Sequence, residues 1–213
     1  MRRLRNLALF AIVSLALLLA VAWSLRGALL GVNFDAGTGG RAELIVPTGY
    51  RATVFAEGLD GPRFMAVSPA GTLFVAERGA DRVIALPDAD ADGAADEVVE
   101  VGTGYGAAHD IEFRDGGSLL VAGEEALYEV TLDGLVETER RILVDGLPTG
   151  GHATKTVELT ADDTVLLSVG SSCDTCHEAD ARRASIQRLS ADGLQPVMVG
   201  LRNAVGLWVD DKT

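Results

Sequence analysis

A repeat with a period of 46 residues constrains the fold of this chain more than any other sequence feature. Three segments align with one another: FMAVSPAGTLFVAERG, HDIEFRDGGSLLVAGE and KTVELTADDTVLLSVG. The second apolar run of these segments begins near Thr72, Ser118 and Thr164 respectively. A fixed period of about 40–50 residues with four short strands per unit is typical of β-propeller blades. Such blades bury their faces against neighbouring blades, so the repeat predicts a core between successive units.

The body of the chain, residues 44–213, consists of short apolar runs separated by Gly, Asp and Pro. Several runs alternate apolar and polar residues, as half-buried strands do, and no convincing amphipathic helix interrupts them. This pattern predicts an all-β fold with three four-stranded blades, followed by the first strand of a fourth blade at residues 205–209 (VGLWV). Closed propellers have at least about four blades. We therefore expect residues 44–213 to form a partial propeller that is inactive by itself.

The N-terminal segment has the pattern of an export signal. Three arginines at positions 2, 3 and 5 precede an uncharged run that extends to Leu25. This run is long enough to cross a hydrocarbon core of about 30 Å, and the positive-inside rule then places the body outside the cytoplasm. The small residues before Trp23 also match a cleavage site.

These features predict three regions. Residues 1–26 are a signal anchor or signal peptide, whose membrane helix spans 7–25. Residues 27–43 form a Gly- and Ala-rich flexible linker, and 44–213 form the partial propeller. We expect the propeller to be exported to the periplasmic or extracellular side.

The formal net charge of -13 narrows the classes of partner. Nucleic-acid binding calls for a basic surface, so nothing in the composition favours a nucleic-acid partner. Electrostatic attachment to anionic lipid is disfavoured for the same reason. A small neutral or cationic ligand is compatible with this charge.

Four motifs in the last third of the chain point to a known family. In chain order they are GHATK, SVGSSCDTCHE, DARRA and GLRN, and PRFMAVSPAGTLFVAERG lies upstream. In these motifs the chain resembles the glucose/sorbosone dehydrogenases that depend on pyrroloquinoline quinone (PQQ), and the sorbosone branch most of all. The resemblance covers Leu44 to the end, about half of such an enzyme, and implies a six-bladed propeller.

The resemblance implies roles for four residues. His152 would be the general base that takes a proton from a sugar hydroxyl, a task that suits imidazole near neutral pH. Arg202 and Asn203 would contact the quinone, because guanidinium stacks on planar rings and donates to oxygens. Lys155 stands where the sorbosone branch often has arginine, and would be a further cofactor contact. The implied activity is PQQ-dependent oxidation of an aldose or related sugar or aldehyde, with an electron acceptor of the respiratory chain.

The two cysteines, Cys173 and Cys176, allow more than one interpretation. In an exported protein they can form a disulfide. Followed by His177, they also match the C-x-x-C-H attachment motif of c-type haem. A metal site and free thiols are further alternatives. We favour the disulfide over haem, because the motif lies between strands and no downstream Met or His is an obvious second axial ligand.

An acidic run between two predicted strands offers a candidate calcium site. Its carboxylates come from Asp88, Asp90, Asp92 and Asp96, and D-x-D-x-D-G resembles the first half of a calcium loop. The twelfth position is Val99 instead of Glu, so the run is not an EF-hand. A solvated acidic turn is the competing interpretation.

Three other classes of function remain compatible with the sequence. A metal-dependent lactonase can be built on the same fold, since fold does not determine function. A non-catalytic exported propeller that binds a ligand or partner is a second alternative, and a haem-bearing electron carrier is the least favoured.

Overall fold

The structure is a computed structural model that describes residues 46–210. The predicted anchor (1–26) and linker (27–43) lie outside the described residues. The chain divides into two compact units, Met1–Ala52 and Thr53–Thr213. In the described part of the first unit, the Tyr50 N–H donates to the Pro47 carbonyl at 3.0 Å. Residues 46–210 contain no helix with the length and hydropathy needed to cross a membrane.

The second unit contains three four-stranded antiparallel sheets, in which each strand pairs with its neighbours in sequence. Blade 1 comprises β1 (Pro62–Val67), β2 (Leu73–Glu77), β3 (Arg82–Leu86) and β4 (Val99–Thr103). Blade 2 comprises β5 (Asp110–Phe113), β6 (Leu119–Ala122), β7 (Leu127–Asp133) and β8 (Val136–Val144). Blade 3 comprises β9 (Lys155–Leu159), β10 (Val165–Val169), β11 (Ser185–Ser190) and β12 (Gly193–Val199). The prediction of an all-β fold with three four-stranded blades is therefore confirmed.

The 46-residue period is visible in the first turn of every blade. A residue with positive φ occupies this turn at Gly71 (φ 88), Gly117 (φ 83) and Asp163 (φ 62). In each turn the N–H of this residue donates to the carbonyl three positions earlier, at 2.8–2.9 Å. Glycine adopts this conformation without steric cost, and aspartate is one of the few other residues that tolerate it. The same local chemistry thus produces the same hairpin three times.

The core lies between the blades, as the repeat predicts. Successive residues of β6 face opposite ways: Leu119 and Val121 pack in the cluster shared with blade 1, whereas Leu120 and Ala122 pack in the cluster shared with blade 3. This alternation follows from the two-residue period of a strand. All four side chains are fully buried. Blade 2 is therefore buried on both faces, which explains why β6 (LLVA) is uniformly apolar.

Residues 205–209, which we expected to form the first strand of a fourth blade, are not a strand in the structure. The first strand of a blade is held by hydrogen bonds from the second strand of the same blade, and the described residues contain no such partner for it. The segment is still attached to blade 3, because the hydroxyl of Thr156 donates to the Val205 carbonyl at 2.8 Å.

Candidate functional site

A long loop marks one end of blade 3. The connection between β10 and β11 spans residues 170–184, fifteen residues, whereas the equivalent connections in blades 1 and 2 are four residues each (78–81 and 123–126). Because neighbouring strands are antiparallel, this loop lies at the same end of the sheet as the start of β9 and the end of β12. The predicted site residues before β9 and after β12 are thereby brought to the loop that contains both cysteines.

His152 is fixed in orientation by Ser171. The His152 N–H donates to the Ser171 carbonyl at 2.9 Å, and Nδ1 of the ring lies 2.9 Å from the Ser171 hydroxyl. That hydroxyl donates its single proton to the Cys173 carbonyl at 2.6 Å. It must therefore accept a hydrogen bond from Nδ1–H of His152. This assigns the neutral ring its proton on Nδ1 and leaves the lone pair of Nε2 available, as a general base requires.

Arg202 and His152 meet at a third side chain, Asp174. Oδ1 of Asp174 lies 3.1 Å from Nε and 2.5 Å from Nη2 of Arg202, and 3.5 Å from Nε2 of His152. The hydrogen bond from Arg202 holds the pKa of Asp174 below its usual value. The Arg202 carbonyl accepts a bond from the Ser171 N–H at 2.8 Å, which joins the GLRN segment to the end of β10.

Asn203 packs tightly beside His152. Its carboxamide oxygen accepts a hydrogen bond from the Thr154 hydroxyl at 3.0 Å. A Cβ atom at Gly170 would lie 2.8 Å from that oxygen and would overlap the His152 carbonyl. Glycine at position 170 therefore allows the segments of His152 and Asn203 to approach each other. The structure thus brings the predicted residues His152, Arg202 and Asn203 into one site.

Lys155, the further cofactor contact that the resemblance implies, is turned towards the backbone. Its side chain is fully buried, and Nζ donates to the carbonyls of Pro148 (3.0 Å) and Ala153 (2.6 Å). Burial lowers the pKa of Lys155 to about 8. The ammonium group is buried against these two backbone carbonyls and thereby fastens the loop that carries His152. The sequence pattern could not reveal this, because an inward ammonium and an outward one look alike in a motif.

The DARRA motif joins the two loops of the site. Arg183 donates to the carbonyls of Thr149, Gly150 (3.1 Å) and Gly170 (3.4 Å). Arg182 donates to the Gly146 carbonyl at 2.8 Å. Arg182 and Arg183, for which the motif indicated only the family, therefore hold the backbone that precedes His152. No role was predicted for Ser171 or Asp174 either, although both lie inside the quoted SVGSSCDTCHE motif.

Cys173 and Cys176 are joined by a disulfide, with Cα atoms 6.1 Å apart. Asp174 lies inside the small ring that this bond closes. The disulfide and the Ser171–Cys173 hydrogen bond together restrict the backbone on which Asp174 is carried. His177 is exposed and follows the ring.

The predicted calcium ligands lie elsewhere, in the loop between β3 and β4. Carboxylate oxygens of Asp88, Asp90 and Asp92 lie within 4.8 Å of one another. Asp96 is not in this group; its carboxylate accepts a bond from the Ala89 N–H at 2.7 Å. The loop leaves blade 1 at the end opposite to the one where blade 3 carries His152. Calcium binding by the three grouped carboxylates stays a prediction, separate from the chemistry at His152.

A polar chain crosses the first strands of the blades, exposed at Arg63 and buried at His109, Asp110 and Lys155. Arg63, His109 and Lys155 occupy equivalent positions; Nδ1 of His109 donates to the Lys155 carbonyl at 2.8 Å, and Nε2 faces Nη2 of Arg63 at 3.4 Å. Asp110 accepts from the Val157 N–H at 2.9 Å. Burial lowers the pKa of His109 to about 4 and raises the pKa of Asp110 to about 7. These contacts join the three blades.

The fold and the site together define a β-propeller protein whose reactive side chains lie in loops at one end of a blade. Residues 44–213 match the family model described as TrAA12-like. The chain belongs to this family of PQQ-dependent sugar dehydrogenases, which confirms the resemblance seen in its motifs. Among curated protein sequences, none matches the chain.

Solved structures with the same fold include three sugar-related proteins. The PQQ domain of pyranose dehydrogenase from Coprinopsis cinerea, in its holo form, is 25% identical with a TM-score of 0.62, over 72% of this chain and 39% of that one. A calcium structure of a family AA12 carbohydrate-active enzyme from Trichoderma reesei is 19% identical with a TM-score of 0.59, over 68% and 38%. The PQQ-bound aldose sugar dehydrogenase from Streptomyces coelicolor is 19% identical with a TM-score of 0.52, over 66% and 48%. The chain thus spans less than half the length of each.

Proposed function

We propose that this chain forms part of the catalytic propeller of a PQQ-dependent dehydrogenase that oxidises an aldose or a related sugar or aldehyde. One observation carries the proposal: Ser171 holds the proton of His152 on Nδ1, so that Nε2 is a free base beside Arg202 and Asn203. The chain belongs to a family of PQQ-dependent sugar dehydrogenases, and a base next to a guanidinium suits the oxidation of a sugar by a quinone.

The side chains at the site suit PQQ, which is planar and carries carboxylates and adjacent carbonyls. The Arg202 side chain is 58% exposed, and its flat cation can stack on such a ring or donate to its oxygens. Asn203 adds a carboxamide. Lys155 is not included among the proposed ligands, because its ammonium group is enclosed. When bound, the quinone would supply the hydride acceptor.

The proposed role of His152 is to take the proton of the sugar hydroxyl at Nε2 while the hydride on the same carbon departs, leaving a carbonyl group on the product. Ser171 keeps the ring in the productive orientation through Nδ1. The imidazolium formed in this way faces the Asp174 carboxylate, 3.5 Å from Nε2. General-base catalysis of this kind contributes about 10²–10⁴-fold.

We further propose that the enzyme works outside the cytoplasm, anchored by residues 7–25, and passes its electrons to an acceptor of the respiratory chain. The arginine-flanked apolar run supports export. The Cys173–Cys176 disulfide is compatible with an oxidising compartment.

The test is reconstitution of the natural full-length protein with PQQ and Ca²⁺, followed by dye reduction with a panel of aldoses. We expect His152→Ala to lower kcat by about 10² or more. The matched control is His177→Ala, which removes an exposed histidine from the neighbouring loop and should leave the rate nearly unchanged. Absence of both quinone binding and sugar oxidation in the wild-type protein would overturn the proposal in favour of a ligand-binding propeller.

A further inference from the structure

One carboxylate oxygen contacts both side chains that the proposed reaction requires. Oδ1 of Asp174 accepts from Nε and Nη2 of Arg202, and it is also the oxygen nearest to Nε2 of His152, at 3.5 Å. The guanidinium and the imidazole therefore approach the same anionic atom. Neither the motifs nor the family match assigns a role to Asp174.

The position of Asp174 is held by the loop around it. The disulfide closes a ring of four residues about it, and the carbonyl of Cys173 is bound by the Ser171 hydroxyl. The backbone of Arg202 is tied independently to the Ser171 N–H. Both partners of the ion pair are thus anchored through their backbones at Ser171. What the ion pair adds is the direction of the Arg202 side chain.

A stabilising role in folding does not explain this ion pair. Asp174 is 74% exposed and Arg202 is 58% exposed. Exposed ion pairs contribute little to the stability of a fold. Asp174 can act more directly on the site through its negative charge. Its carboxylate places a negative charge within 3.5 Å of Nε2 of His152 while it pairs with the guanidinium of Arg202. The loop of His152 is also contacted by other charged side chains, namely Arg183, Arg182, Lys155 and Glu124.

We propose that Asp174 is a positioning residue that directs the Arg202 guanidinium and offsets its charge next to His152, so that the site holds a cation and a working base together. The inference rests on the proposed function and adds a residue to it. Asp174 acts through Arg202 and His152 and not on the sugar directly.

Three variants of the natural full-length protein separate these effects. Asp174→Asn removes the charge and keeps the shape, Asp174→Glu keeps the charge, and Asp192→Asn is the matched control. Asp192 is an exposed carboxylate in the turn between β11 and β12, at the other end of blade 3, so its substitution changes the net charge equally.

The first readout is independent of activity and of PQQ. In protein labelled with ¹⁵N-arginine, the Nε–H signal of Arg202, assigned with Arg202→Lys, should be protected from solvent exchange in the wild type. We expect exchange to become about two- to fourfold faster in Asp174→Asn, the scale expected for loss of an exposed ion pair. Protection should persist in Asp174→Glu and in the Asp192→Asn control.

The second readout is kinetic. With PQQ and the best aldose, kcat of Asp174→Asn should fall about tenfold or more through loss of positioning, with a smaller change in KM, and Asp174→Glu should recover part of the loss. If Asp174→Asn matches Asp192→Asn in either readout while the wild type is active, the role of Asp174 is refuted and the proposed function stands. If the wild type itself neither binds PQQ nor oxidises a sugar, the proposed function fails, and this inference fails with it.

Discussion

Ser171 and His152 are joined by two hydrogen bonds, one between their backbones and one between their side chains, both 2.9 Å long. The pairing connects the end of β10 to the loop before β9, so the histidine is held by the blade itself. The Ser171 hydroxyl donates its proton to the Cys173 carbonyl and must therefore accept from Nδ1–H of His152. The ring nitrogen without a proton is then Nε2.

Ser171→Ala should therefore lower kcat while the protein stays folded. The substitution frees the imidazole to rotate and to change tautomer, and we expect a loss of about tenfold or more from poorer orientation. Dye-linked turnover of the reconstituted full-length enzyme measures it. Ser172→Ala, one residue further along and exposed, is the control. Equal rates in the two variants would contradict the orienting role of Ser171.

Gly170→Ala should destabilise the site. The added methyl group would overlap the His152 carbonyl and crowd the Asn203 carboxamide, and overpacking of this kind typically costs about 1–3 kcal/mol. Thermal unfolding and kcat should both show the effect. In Gly116→Ala the new methyl group meets nothing within 4 Å, so Tm should hardly change. If both variants unfold at the same temperature, the close approach at Gly170 is not required.

Buried His109 should oppose folding in mild acid. Its pKa of about 4 lies below the ordinary value of 6.5, so between these values the unfolded chain binds more protons than the folded one at this position. The contribution of His109 to stability should thus fall as the pH drops through this window, by about 2 kcal/mol at pH 5.

Urea unfolding at pH 7 and pH 5 provides the measurement, with His109→Gln as the comparison. The variant lacks the titrating ring, so its change in stability from pH 7 to pH 5 should be more favourable than that of the wild type by about 2 kcal/mol. Neighbouring Asp110, with a pKa raised to about 7, works in the opposite direction, since its contribution to stability declines as the pH rises towards 7. An unchanged pH dependence in His109→Gln would exclude His109 as the source.

The disulfide should matter more for activity than for stability. It closes a very short loop, so its effect on the unfolded chain is small, and we expect Tm to change by only a few degrees in Cys173→Ser/Cys176→Ser. The kcat should fall, because Asp174 loses the ring that restricts it. A reducing agent should lower kcat of the wild type and leave the double variant unaffected. A large fall in Tm with unchanged kcat would show instead that the disulfide stabilises the fold and is not needed for activity.

Most of the fold could be predicted because its determinants are local and repeated. The positive-φ residues Gly71, Gly117 and Asp163 recur every 46 residues, and the apolar runs between them alternate with the period of a strand. The strand expected at residues 205–209 is the exception. Its apolar pattern is that of a strand, but pairing depends on a partner that no local pattern supplies.

The candidate site, like the fold, has parts that the sequence predicts and parts that it does not. The order of the motifs identified His152, Arg202 and Asn203, since each motif is a short string with its own spacing. The sequence by itself thus determined the class of fold and the family, and it predicted three side chains that the structure places together in the candidate site. Only the tertiary structure decided what the charged side chains contact. Nζ of Lys155 donates to two backbone carbonyls, and Asp174 contacts both Arg202 and His152. The physical reason is that burial and charge pairing depend on which loops meet at the end of the blade, and those loops are far apart along the chain.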